Sequence, residues 1–177
     1  MSRGFLLLLL PFASAFGADR AAVTVDALLA KVGREAVLLS DLLRFADVEK
    51  VLECAGVVKR EKPLPTERKA LLNVYIDEEL FYEKARAKKL GTGGHIPAAI
   101  QQIQSKAVCR ANWLRLGEQY GKGWKTENRA REGEAMLVRE LEKRVLVEQF
   151  QRSEQVSDIE IWKREASVQF PVKIFLE

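Results

Sequence analysis

The sequence predicts a mainly α fold: a helical domain with a small β-hairpin near the mature N-terminus and a C-terminal strand pairing with it. Three observations lead there. "ALLAKVGREAVLLSDLLRF", residues 27–45, sets two short apolar runs around Gly33-Arg34 and follows them at once with a helix signal. Long middle stretches then carry apolar residues at helical spacing. The last stretch, "FPVKIFLE", is β-rich, with Val172, Ile174 and Leu176 on one side.

The first residues stand apart from this fold. "MSRGFLLLLLPFASAFGAD" has a single cation at Arg3, an apolar run over residues 5–12, and small residues at Ala13 and Ala15. That is the pattern of a secretory signal peptide, residues 1–15, cleaved after Ala15 or, on Ala15-Phe16-Gly17, after Gly17. The run is far below the roughly 20 residues of a membrane-spanning helix, and no later segment is apolar enough to span. The expectation is an exported chain with no stable membrane insertion. Residues 16–177, about 160 in all, fit one domain with a real core.

Charged residues make up 31% and hydrophobic ones 47% of the chain, a globular balance rather than a disordered one. The net charge of +4 is mildly basic, and Lys and Arg alternate with Glu along most of the chain, so no nucleic-acid stripe is present. Two cysteines, Cys54 and Cys109, are compatible with one disulfide in an exported protein, or with two buried thiols. A bridge closing a loop of about 55 residues would contribute about 4 kcal/mol through chain entropy.

Element by element, Val32-Gly33-Arg34-Glu35 reads as a two-residue hairpin loop of type II′, with Gly33 at its first central position. Pairing outward sets Ala30 opposite Val37, Leu28 opposite Leu39, and Leu29 opposite Leu38. Both faces of that ribbon are apolar, so it needs cover and a third strand, which the C-terminal segment supplies. A buried helical turn over residues 25–32 is the competing reading. Ser40 is the expected N-cap of a helix from Asp41, carrying Leu42, Phe45, Ala46, Val48 and Leu52. Pro63 and Pro65 mark a connector, Thr66 caps the next helix, residues 67–90, and Gly91 ends it. "GTGGHIP" is a loop, and Pro97 opens a helix to about Leu116 whose apolar face is Ile100, Ile103, Ala107, Val108 and Ala111. Gly117, Gly121 and Gly123 break the pattern. A long helix over residues 126–153 turns Leu137, Leu141, Val145 and Phe150 inward. Ser157 with Glu160 is a capping box opening a short helix through Trp162.

Chemistry is hard to find. His95, the sole histidine, sits in a Gly-rich loop with no nucleophile motif near it, and no Cys-x-x-Cys exists, so neither a catalytic nor a metal site is expected, nor a cofactor. Glu78 and Glu79 are adjacent on a helix and read as a solvated face. The remaining signal is aromatic. Tyr75, Phe81 and Tyr82 on one helix, with Trp113, Tyr120 and Trp124 around the Gly-rich break, are candidates for a surface that binds extended polypeptide.

Three segments together resemble a family. "VDALLAKVGREAVLLSDLLRF", "LLNVYIDEELFYEKARAKKLG" and "LVRELEKRVLVEQF…VSDIEIWKRE" follow the order and spacing of the N-terminal domain of SurA-type periplasmic chaperones. Val25-Asp26, Val32, Glu35, Ser40, the run Ile76-Asp77-Glu78-Glu79-Leu80, and Val156-Ser157-Asp158 with Glu160 occupy its slots. Gly33-Arg34 replaces the family's usual turn, and the cysteine pair is not a family feature. The resemblance implies a periplasmic, ATP-independent holdase that binds unfolded outer-membrane or other exported polypeptides. The family usually continues into parvulin prolyl-isomerase domains, which residues 1–177 do not include, so isomerase activity is not carried over. A structural subunit dedicated to one exported partner, or to a full-length chaperone, is the alternative.

Overall fold

The computed structural model describes residues 26–60, 62–122, 128–153 and 159–175. The expected signal peptide, Trp124, Leu176 and the Ser157 side of the expected capping box lie outside these residues. β1 (Leu28–Val32) and β2 (Glu35–Leu38) form the hairpin. Gly33 has φ +58° while Arg34 does not enter positive φ, which is the type II′ signature. Ala30 faces Val37 as expected, but Leu28 faces Leu38 rather than Leu39. The register shifts between Leu28 and Ala30, which takes Leu29 out of the ladder and into the core at 3% exposure. Leu39 is already helical, its N–H donating to the Ala27 carbonyl at 2.8 Å.

α1 (Leu39–Ala55) therefore starts before the expected cap. Ser40 lies in its first turn, and the Asp26 carboxylate caps it by accepting the Ser40 N–H at 3.1 Å together with the Ser40 hydroxyl. Asp41 accepts the Leu38 N–H at 3.0 Å. Carboxylates complement the positive helix end better than a hydroxyl does. The same preference acts at α2 (Arg68–Ala87), where Glu67, not Thr66, caps by accepting the N–H groups of Lys69 and Ala70. α2 ends at Ala87, and Lys89, rather than Gly91, takes the left-handed position that closes it.

The single helix expected over residues 97–116 is two. α3 (His95–Ser105) and α4 (Ala107–Tyr120) are separated by Lys106 in extended conformation. On one continuous helix Ile103 and Cys109 would lie about 120° apart. The break brings Cys109, Trp113 and Leu116 onto the core beside Ile103, and turns Ala107, Val108 and Ala111 outward, Val108 to 70% exposure. Cys54 and Cys109 are bridged, Cα to Cα 5.8 Å, which ties α4 just past the break to the last turn of α1. Gly117 does not interrupt α4; it is buried inside it.

α5 (Arg129–Ser153) buries Leu137, Leu141, Val145 and Phe150 as expected and packs against both α2 and α4. α6 (Ile159–Gln169) runs well beyond Trp162, and β3 (Val172–Ile174) follows. β3 lies antiparallel to β1, giving the sheet order β2-β1-β3 and joining the C-terminal strand to the hairpin. Among the described residues, three apolar clusters hold the fold. One lies under the sheet around Leu42, Leu72, Tyr75 and Leu80, and one lies around the disulfide with Trp113, Leu137 and Leu141. The third joins α2, α5 and α6 through Phe81, Phe150 and Trp162.

Candidate functional site

The polar heart of the molecule lies where α1, α2 and α5 meet. Glu49, Glu79 and Glu140 are buried there at 3%, 5% and 7% exposure. Each has a cation. Arg60, delivered by the connector between α1 and α2, pairs with Glu49 and lies 3.7 Å from Glu78. Arg144 reaches Glu78 at 3.1 Å and Glu49 at 3.3 Å, Lys143 holds Glu79 at 2.8 Å, and Arg44 bridges Glu140 at 3.0 Å and Asp41 at 2.6 Å. Glu78 and Glu79 thus sit inside the fold, not on a solvated face. Neighbouring on α2, they diverge to different cations on α5.

Taking these charges out of water has visible consequences. Burial pushes the Glu78 carboxyl up to about 7, with Arg144 opposing and Glu49 adding to the rise. Burial raises Glu140 as well, against Lys143 and Arg44. Burial and the neighbouring Glu79 carry the Tyr75 hydroxyl well above the usual tyrosine range. Burial alone would lower Lys143, yet Glu79 and Glu140 together hold it above the usual lysine range. The void these groups enclose, lined also by Phe45, Val48 and Val147, measures about 20 Å³, room for one water and not for an organic ligand. The network is internally paired and too tight for a ligand.

It opens on one side. Tyr75, Glu79, Tyr82 and Arg86 form a single stripe along α2, and Lys143 from α5 completes one wall of a groove whose other wall is Glu35, Ala36 and Val37 of β2. The groove measures about 280 Å³. The stripe from Tyr75 to Arg86 runs about 16 Å, the length of a five-residue strand. Lys143 lies over the rings of both Tyr75 and Tyr82, at 5.9 and 5.4 Å, and Arg86 lies over Tyr82 at 5.6 Å. The amphipathic Tyr82 ring, partly open between these cations, offers contact to apolar and polar side chains alike.

The aromatic residues singled out in the sequence are dispersed. Tyr75 and Tyr82 meet at the groove, but Tyr75 is only 3% exposed and Tyr82 alone is partly open. Phe81 is buried, stacked on Trp162 with centroids 4.5 Å apart, because α6 folds back over this face of α2. Trp113 is buried in the disulfide cluster. The Tyr120 hydroxyl donates to Asp47 at 2.9 Å on another side of α1, and Trp124 lies outside the described residues. Tyr75, Phe81 and Trp113 are thus corrected from binding surface to core, Tyr75 reaching the groove only at its edge. The network itself was missed, although a signal exists: Glu140, Arg144 and Glu148 recur at i, i+4 beside the Leu137–Leu141–Val145 stripe.

Among the described residues no group of His, Cys, Asp or Glu side chains could hold a metal ion, and no helix is long and apolar enough to cross a membrane. The chain matches no family model, no curated protein and no solved structure.

Proposed function

We propose that the protein is an exported, ATP-independent chaperone of the holdase kind that binds non-native polypeptide segments in the groove between β2, α2 and α5. The observation that carries this reading is the groove itself, a slot of strand length that bares the Tyr82 ring and whose cations, Lys143 and Arg86, are already paired with Glu79 and Glu83. Such a surface favours extended segments without demanding a particular charge, which suits clients of many sequences. The resemblance to the N-terminal domain of SurA-type periplasmic chaperones supports the same reading and supplies its setting, unfolded outer-membrane or other exported chains in the periplasm.

Light scattering of a denatured β-barrel protein, diluted with and without the mature chain, tests it. Suppression of aggregation at near-stoichiometric ratio without nucleotide is expected, and Tyr82→Ala should weaken it several-fold at a temperature where the variant, which loses some packing, is still fully folded. No suppression at several-fold excess would overturn the proposal. A second reading, a subunit dedicated to one exported partner, is favoured by the outward apolar residues of α4, Val108 at 70% and Leu114 at 58% exposure. A single stable hetero-complex without general holdase activity would establish it.

A further inference from the structure

The sheet has a free edge at β3, opposite the β2 edge that walls the groove. The ladder fixes which backbone groups are used. The Gly33 N–H donates to Pro171 at 2.9 Å and the Phe175 N–H donates to Leu29 at 2.8 Å. Residues 171, 173 and 175 therefore spend their hydrogen bonds on β1, and alternation turns the N–H and C=O of Val172 and Ile174 away from the sheet. Among the described residues, the sheet order β2-β1-β3 leaves that row of four groups as an open edge. The opposite edge is poorer. Ala36, paired with Lys31, turns outward there, but the Leu38 N–H is already taken by Asp41.

Side chains sharpen the reading. Ile174 shares the core-facing side with Ala30 and Val37, yet it is 45% exposed. On the solvent face Lys31 and Lys173 stand directly opposite each other, and among the described residues neither has a carboxylate within 4 Å. Lys173 leans only over the Phe175 ring, at 5.2 Å. Like charges directly opposite across a ladder are unfavourable, so this pair is an unmatched positive site beside an unpaired edge.

We propose that β3 receives an extended polypeptide segment as a fourth strand, one with an acidic residue flanked by apolar ones. Its backbone bonds Val172 and Ile174. Its carboxylate lies opposite Lys173 and within reach of Lys31, and its flanking side chains cover the exposed half of Ile174. A second copy of this chain is a poor occupant, because antiparallel pairing of two β3 edges through Val172 and Ile174 sets Lys173 against Lys173.

The probe is a blocked peptide of about seven residues alternating valine and glutamate, compared with the same peptide carrying lysine for glutamate and with a version N-methylated at the bonding amides. The expected result is slowed hydrogen exchange at the Val172 and Ile174 amides and about tenfold tighter binding of the acidic peptide than of the basic one, an advantage that fades in high salt. N-methylation should abolish binding, and Lys173→Glu, an exposed change, should reverse the charge preference. Equal binding of the acidic and basic peptides, protection elsewhere in the chain, or binding indifferent to N-methylation would overturn the proposal. So would concentration-dependent protection of the same amides without peptide, which would assign the edge to a second copy. The proposal stands apart from the holdase reading: Lys173→Glu leaves the Tyr82 groove untouched, so loss of one activity without the other tells which has failed.

Discussion

Gly133 sits where α5 crosses α4, and a Cβ built on it would lie 1.7 Å from the Gly117 carbonyl oxygen and 2.6 Å from the carbonyl carbon. These are backbone atoms with no rotamer to yield, so the helices themselves would have to part. Gly133→Ala is expected to destabilise the protein by about 2 kcal/mol or more, overpacking outweighing the gain of up to about 1 kcal/mol from replacing a helical glycine. Gly117→Ala is the matched control. Its Cβ would meet Glu134 N at 3.7 Å, ordinary contact, so propensity wins and the variant should be neutral or stabilised by up to about 1 kcal/mol. Urea unfolding of the two variants checks the opposite signs; a stabilised Gly133→Ala would refute the close crossing. None of this was legible in the sequence, where Gly117 and Gly121 read as a break. A glycine that lets two helices touch and a glycine that ends one look alike until the partner helix is in place.

At the scale of elements, legibility followed locality. The hairpin turn, the inward face of α5 and the pairing of the C-terminal strand were readable because each rests on a short pattern: Gly33 in its turn, Leu137–Leu141–Val145 at helical spacing, alternating Val172 and Ile174. The Lys106 break was not, because residues 100–111 form a plausible apolar face and only contact with α1 and α5 decides against it. The disulfide is what holds that decision, joining α1 to the first turn of α4, while Lys106 Nζ donates to the Cys54 carbonyl at 3.1 Å. The bridge closes a loop of 55 residues, worth about 4 kcal/mol in the chain-entropy account. Reduction, or the double variant Cys54→Ala with Cys109→Ala, should lower Tm by roughly 10 °C, with the largest gain in amide exchange around residues 105–110. Full reduction, verified by thiol titration, with an unchanged Tm would show that packing of Trp113 and Leu116 suffices alone.

For the molecule as a whole, the buried charge network makes stability depend on pH in a direction opposite to ordinary acid denaturation. Glu78 faces Glu49 from α1, Arg60 from the connector and Arg144 from α5, and its carboxyl is raised from 4.5 to about 7. Below about pH 4.5 it is neutral in both folded and unfolded chains and adds no pH dependence. Between there and about pH 7 the unfolded chain releases a proton that the folded chain keeps, so the unfolded state binds fewer protons and stability falls as pH rises. The fall amounts to up to about 3 kcal/mol and levels off above pH 7. Glu140, also raised by burial, acts in the same direction. Unfolding free energy measured from pH 5 to pH 8 should therefore decline, and Glu78→Gln should flatten the curve, with Glu140 leaving a residual slope. A wild-type curve that climbs over this range would mean that Arg60 and Arg144 keep Glu78 ionised despite its burial.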